Sequence, residues 1–250
     1  MRRVILTAVV ALLVVSSGCV GLVTGDTVEF EASEGAVSDS ALDSTGYDLN
    51  NSSERAITRN VSFFGQERTI RIVNRVNRYT SSGSLADAAG NETLAENETL
   101  QDAAGNETLA SNQTLQDAVA EETGGDTEIA GLKRFVVVSS PGASVAGRTL
   151  NPAASWSNDR ILEQVAEQTG QLSDIEQQDT RTVASLGEER NVTEFSATTQ
   201  IEGREVDVQA HVVSFEHDGD VIIAVAVHPD QFDESDNVDE LVGGLEHSGN

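Results

Sequence analysis

A single cysteine and a single lysine stand among 250 residues, and each scarcity excludes something. Cys19 alone permits no disulfide within the chain and no cysteine-built zinc site, so the fold must stand on its core. Lys133 and fourteen arginines face 42 Asp and Glu, for a net charge of −27. No basic patch exists to neutralise phosphates, which excludes nucleic acid as a partner. No apolar run reaches the roughly 20 residues needed to span a bilayer core. The common catalytic patterns are missing too: there is no glycine-rich phosphate loop, no H-E-x-x-H helix and no Ser/His/Asp spacing. The carboxylates of 230–240 lack the ligand spacing and central glycine of an EF-hand loop. Pro141 to Gly147 comes near a serine-nucleophile elbow, but Ala146 occupies the final glycine position of G-x-S-x-G, which leaves a connecting loop. No enzyme and no cofactor are expected from this inventory.

What is present begins with MRRVILTAVVALLVVSSGC. Arg2 and Arg3 precede an apolar run, Val4 to Val15, interrupted by Thr7, and small residues follow. A charged start, a short apolar stretch and small residues form the layout of a cleavable export signal, here 1–18. Cys19 sits directly after the small residues, as in a lipobox, where the thiolate forms a thioether to lipid. Ser16 stands where lipoboxes usually carry an aliphatic residue, and a plain signal peptide with an incidental cysteine is the alternative. The arginine pair resembles a twin-arginine export signal. The expected layout is a signal peptide over 1–18, a lipid-anchored tether over 19–26, and one domain over 27–250 on the outer face of the membrane.

Loss of Arg2 and Arg3 with the signal makes the mature chain more negative still. Such a chain repels itself in dilute buffer. Molar salt shortens the screening length to about 3 Å and removes that penalty. The acidic, lysine-poor composition resembles proteins of salt-loving archaea. An apolar fraction of 38% with strand patterns argues against an acidic disordered chain.

Alternating apolar residues predict the strands. Val28 and Phe30 open the first, and 33–54 reads as a loop or short helical turn. Ile57 to Phe63 and Ile70 to Tyr79 form a hairpin whose Arg68, Arg71, Arg75 and Arg78 either pair with carboxylates across strands or face a partner. Phe135 to Val138 is a central buried strand. Ser157 or Asn158 caps a helix carrying Ile161, Leu162 and Val165. Thr180 to Leu186 is a strand, with a turn at Gly187-Glu188. Phe195 to Ile201, Val206 to Val212 and Val221 to Val227 form a meander, its last turn the Asp218-Gly219 signal. Register places Phe195, Ala210 and Val227 on the core face, and it leaves Val213, Phe215 and Ile222 on the other face asking for cover. Val238, Leu241, Val242 and Leu245 predict a last helix. The fold class is α+β: a curved, mainly antiparallel sheet with two helices packed on it.

Between these patterns, 80–128 reads as a disordered insertion. DAAGNETLAENETLQ is followed by DAAGNETLASNQTLQ, two copies differing at two positions. Two short copies cannot bury a core by stacking. Each brings two Asn-X-Thr sequons, and an exported chain can be glycosylated at such surface sites. The glycosylation candidates are Asn91, Asn97, Asn106 and Asn112, with Asn51 upstream; a recently duplicated, nearly neutral loop is the alternative.

The same register puts His211 and His228 diagonally on one face, near Asp207 and Asp230. Diagonal neighbours lie within reach of a shared metal ion, so the two histidines are the metal-ligand candidates, weighed against ordinary strand-surface histidines.

The lipobox-like start, G-R-x-x-N-P at Gly147–Pro152, V-D-V-x-x-H-V at Val206–Val212 and D-G-D at Asp218–Asp220 resemble a family of uncharacterised haloarchaeal lipoproteins, a domain of unknown function. A sheet followed by a last helix is similar, at fold level, to the Mog1/PsbP-like proteins, a likeness that implies no function. The expected role is a membrane-anchored binding or envelope-associated module, with an envelope protein or a small molecule as partner. A metal-dependent hydrolase and a solute-binding protein are the alternatives.

Overall fold

The computed structural model describes residues 27–63, 66–81, 133–142, 144–145, 148–149, 151–169, 172–201 and 204–248. The expected signal peptide, tether and Cys19, and the repeat with Asn91, Asn97, Asn106 and Asn112, lie outside the described residues.

The described chain runs β1 (Val28–Glu31), β2 (Gly35–Val37), α1 (Asp39–Thr45), β3 (Tyr47–Phe63), β4 (Gln66–Ser81), β5 (Arg134–Pro141), β6 (Ser144–Val145) and β7 (Arg148–Thr149). A 3-10 turn (Pro152–Ser155) follows, then α2 (Asn158–Thr169), β8 (Leu172–Ser185), β9 (Glu188–Ile201), β10 (Arg204–His217), β11 (Asp220–Pro229), α3 (Ser235–Gly243) and β12 (Leu245–His247). Eight strands make one open mixed sheet. β4 is flanked on one side by β3 and on the other by β1, in parallel, and by β5; the order continues β5-β11-β10-β9-β8. The class is α+β, mostly β, with three helices rather than the expected two. Among the described residues no helix is long and apolar enough to cross a membrane.

Alternation determines which residues face which layer. Val76, Val136, Val138, Phe195, Ala210, Val212, Ile223 and Val225 form one face with Ile161, Leu162 and Val165 of α2 packed on it. Asn158 pins the start of that helix, its Nδ2 donating to Asn191 O and Thr193 Oγ1, both at 3.0 Å. On the opposite face Phe135, Val137, Val213, Phe215, Ile222 and Ala224 lie under Ala41 of α1 and Val238, Leu241 and Val242 of α3. Burying Val238, Leu241 and Val242 contributes roughly 1.5–3 kcal/mol each. The residues that asked for cover receive it.

Asp218 and Gly219 both take positive φ, 48° and 86°, the two-residue turn whose twist matches its strands. It sets the register Ala210↔Val227, and the β9–β10 hairpin pairs Ala210 with Phe195, as the pattern predicts.

Four expectations are corrected. Residues 33–54 hold more than a loop or short helical turn: the helical turn is α1, and β2 and the start of β3 stand on either side of it. Ser38 caps α1 by accepting from Ala41 N, and 47–54 become strand because β4 supplies backbone partners up to Ser81, inside the expected insertion. β8 begins at Leu172, well before Thr180. It is an edge strand whose residues 176–180 are exposed, so they carry no apolar alternation. The turn after it is Leu186-Gly187. Finally, Leu245 is not part of the last helix: Gly243-Gly244 ends α3, and Leu245 belongs to β12, which pairs with β2.

Candidate functional site

The register that pairs Gln209 with His228 and His211 with Ala226 places the two imidazoles diagonally on the α3 face. Their Nε2 atoms lie 2.9 Å apart and their rings are stacked, 17° from parallel. Both residues are 1% exposed. Protons can be assigned along the chain of contacts. His228 Nδ1–H donates to Pro229 O at 3.1 Å, so its Nε2 accepts. His211 Nε2–H therefore donates, and His211 Nδ1 accepts from Arg181 Nη1 at 3.3 Å. Both rings are neutral. Burial, then the neighbouring His228 and Arg181, lower the pKa of His211 to about 3. Burial lowers that of His228 as well, against the opposing pull of the Pro229 carbonyl and nearby carboxylates.

Arg181 is the hub of this network. From edge strand β8 its Nε donates to Asp239 Oδ1 on α3 at 2.6 Å, its Nη2 to Ser235 O, and its Nη1 reaches Glu194 Oε2 at 3.4 Å. Beside it, Glu234 is 3% exposed. Its carboxylate takes an ion pair from Lys133, the chain's one lysine, and hydrogen bonds from Asn237 Nδ2 at 2.9 Å and Tyr47 Oη at 3.3 Å. Burial pushes the Glu234 pKa up, but Lys133, Asn237 and His228 outweigh it and the net shift is downward. Burial, with Glu234 adjacent, pushes the Tyr47 hydroxyl far up.

At the other end of the same face lies a second pair that the sequence pattern does not reveal. His217 and Asp220 face each other across the Asp218-Gly219 turn, and β12 brings His247 over them with its ring edge-on to His217, centroids 5.5 Å apart. Asp220, 6% exposed, accepts from Ser33 N at 2.7 Å and contacts His247 Nε2 at 3.1 Å. His217 Nε2 lies 3.5 Å from Asp218 Oδ2. His217 is visible beside the turn in the sequence; His247 is not, because only a three-residue strand carries it there.

The chain matches the model of DUF6517, a domain of unknown function, over residues 34–246. It belongs to this family. No curated protein matches it. The crystal structure of PA94, a protein of unknown function from Pseudomonas aeruginosa, is similar at 18% identity and a TM-score of 0.22, over 39% of this chain and 60% of that one.

In this DUF6517 domain the motif residues are buried anchors. Asn151 of G-R-x-x-N-P is fully buried; its Nδ2 donates to Ser140 Oγ and Pro141 O, and its Oδ1 caps the 3-10 turn through Ala153 N. His211 of V-D-V-x-x-H-V carries the imidazole pair. Asp220 of D-G-D ties the turn to the segment before β2 and to β12.

Of the other singled-out residues, Asp207 and Asp230 do not join His211 and His228. Both are exposed, and Asp230 Oδ1 accepts from Gln209 Nε2 at 2.7 Å. Within the arginine stripe, Arg71 pairs with Glu29, and Arg75 with Glu31 and Glu54. Asn51 is exposed on β3, beside the irregularity at Leu49/Asn51.

That irregularity borders a groove of about 510 Å³ between β2, α1, β3 and β4. Leu49, Leu42 and Tyr79 line it together with the carboxylates of Glu34, Asp39 and Glu246. Leu49 is 51% exposed, the one large hydrophobic side chain so exposed among the described residues.

Proposed function

We propose that this DUF6517 chain is a membrane-anchored, extracytoplasmic binding module of the haloarchaeal lipoprotein kind, held by lipid at Cys19 and presenting the groove beside Leu49 to its ligand. The observation that carries the reading is the pairing of an exposed aliphatic with three carboxylates in one depression. Lone exposed apolar residues are ordinary, but this one lines the groove together with Leu42, Tyr79 and acid groups. The lining matches a ligand with an apolar body and a cationic head. Molar salt screens the charges, so the apolar contact supplies most of the affinity there. The one large sheet, with no second lobe among the described residues, favours a surface groove over a cleft closed by hinge motion.

The histidine pair under α3 supports a structural role better than a hydrolytic one. Both imidazoles are buried, neutral and engaged with each other, and the Arg181 guanidinium beside His211 repels a metal cation.

The test is a calorimetric titration of the chain in molar KCl with alkylammonium ions of increasing chain length. Saturable binding that tightens with chain length, and is lost in Leu49→Glu, supports the groove; no heat, or binding indifferent to that change, overturns it. The anchor is read separately: mass spectrometry of the native protein must find residues 1–18 removed and Cys19 lipid-modified, and Cys19→Ser must leave the membrane fraction.

A further inference from the structure

From the residues at the tip of the β10–β11 hairpin we infer that His217, Asp218 and His247 form a binding site for a divalent transition metal ion of the zinc class, with Asp220 as the carboxylate that orients His247.

The donor set comes first. Each of the three residues has a ligand-type atom within 4.8 Å of the others. Two imidazoles and one carboxylate suit zinc and its neighbours better than magnesium or calcium, which take oxygen.

The state of His247 is the second, independent observation. Its side chain is fully buried, and one of its nitrogens has no hydrogen-bond partner. Asp220 Oδ2 takes the Nε2–H at 3.1 Å, which leaves the Nδ1 lone pair buried and unanswered. An unsatisfied buried acceptor costs on the order of 1–3 kcal/mol. A cation at Nδ1 answers it, in the arrangement by which a carboxylate holds the far nitrogen of a metal-bound imidazole and sets its tautomer. Asp220 is itself held by Ser33 N at 2.7 Å, which anchors the orienting group.

The third observation is access. His217 is 23% and Asp218 63% exposed at the side chain, while His247 and Asp220 are buried. The site therefore has a rigid floor and an open rim. Zinc bonds of 2.0–2.2 Å set tetrahedral donors roughly 3.3–3.5 Å apart, closer than the present limit, and the exposed turn residue Asp218 is the donor free to close the gap. Three protein donors leave one position for water or an outside ligand. An ion here would clamp the hairpin turn to β12. The site is separate from the groove beside Leu49.

The test uses the full-length chain, stripped with EDTA and kept in molar KCl. Titration with Co(II) is followed by its visible d–d absorption, then by displacement with Zn(II). The expected result is one equivalent bound, with a rise in unfolding midpoint on Zn(II) addition. His217→Ala and Asp218→Asn each lower affinity at least about tenfold, and Asp220→Asn lowers it about 10–100-fold. Asp207→Asn, an exposed strand carboxylate elsewhere, leaves it unchanged. If His217→Ala loses its native circular dichroism, the exposed Asp218→Asn decides. Absence of saturable binding overturns the inference; so does binding that His217→Ala and Asp218→Asn both leave intact, which marks adventitious capture by surface carboxylates.

Discussion

The Nε2 atoms of His211 and His228 lie 2.9 Å apart under helix α3, joined in a hydrogen-bonded line from the Arg181 guanidinium to the Pro229 carbonyl. Each ring has one donor and one acceptor in use. The line works only while both rings are neutral, since an added proton puts two N–H groups against each other.

Stability should therefore fall with pH in a defined window. Both histidines have folded pKa values below the unfolded 6.5, that of His211 at about 3. The unfolded chain takes up protons below pH 6.5 while the folded chain resists them. The contribution is fully present above pH 6.5 and is lost as pH falls toward the folded values. Between pH 6.5 and 5 the loss from His211 is on the order of 1–2 kcal/mol, and His228 adds to it in the same direction. Denaturant unfolding at constant molar salt measures it, and His211→Gln should flatten the slope. A histidine resonance of the folded chain that is assigned to either ring and titrates near 6.5 contradicts the assignment.

The Lys133–Glu234 pair makes a different demand. Lys133 Nζ contacts Glu234 Oε1, and both side chains are largely buried. Lys133→Ala strands a buried carboxylate and should cost about 3–5 kcal/mol. The double change Lys133→Met with Glu234→Gln should cost clearly less than the sum of the singles, because it removes both charges together. Additive costs in the double-mutant cycle would show that the pair is not coupled.

Arg75 tests the opposite limit. It pairs with Glu31 and Glu54, whose side chains are 46% and 57% exposed. Exposed pairs contribute under about 1 kcal/mol and salt screens them. Arg75→Gln should shift stability by less than that in molar KCl and more in dilute buffer. A large loss at high salt would mean that the arginine stem, rather than its charge, holds β1 to β4.

The close approach of α1 to the end of α3 is the fourth target. A Cβ on Gly244 would sit 2.4 Å from Ala41 Cβ, and Gly244 O accepts from Ser38 N at 2.8 Å. Overpacking of this kind costs about 1–3 kcal/mol, so Gly244→Ala should lower the unfolding midpoint. Gly244→Ala and Ala41→Gly should be non-additive, the double variant losing less than the sum of the two singles because the Cβ–Cβ clash is gone; additive losses would place the strain elsewhere.

Legibility followed the length of the repeating pattern. The diagonal of His211 and His228 could be read because long alternating strands and an Asp-Gly turn leave one register open. β8 could not be bounded, because an edge strand with polar residues on both sides carries no period. Helix α1 could be read only as a short helical turn without bounds, because seven residues allow barely two turns of pattern. The burial of His211 was missed as well, since α3 and Arg181 reach it from parts of the chain that no spacing connects.

Periodicity, turn chemistry and charge, all local or repetitive, sufficed for the sheet's central meander, the helix on its core face, and the absence of a disulfide or a basic surface. Which buried polar groups meet was decided only in three dimensions. Lys133 with Glu234, Arg181 with Asp239, and His217 with His247 are each joined by backbone paths whose lengths bear no relation to the contact. A pair interaction of that kind leaves no trace along the chain, because it depends on where two faces come to rest and not on the order of the residues within either.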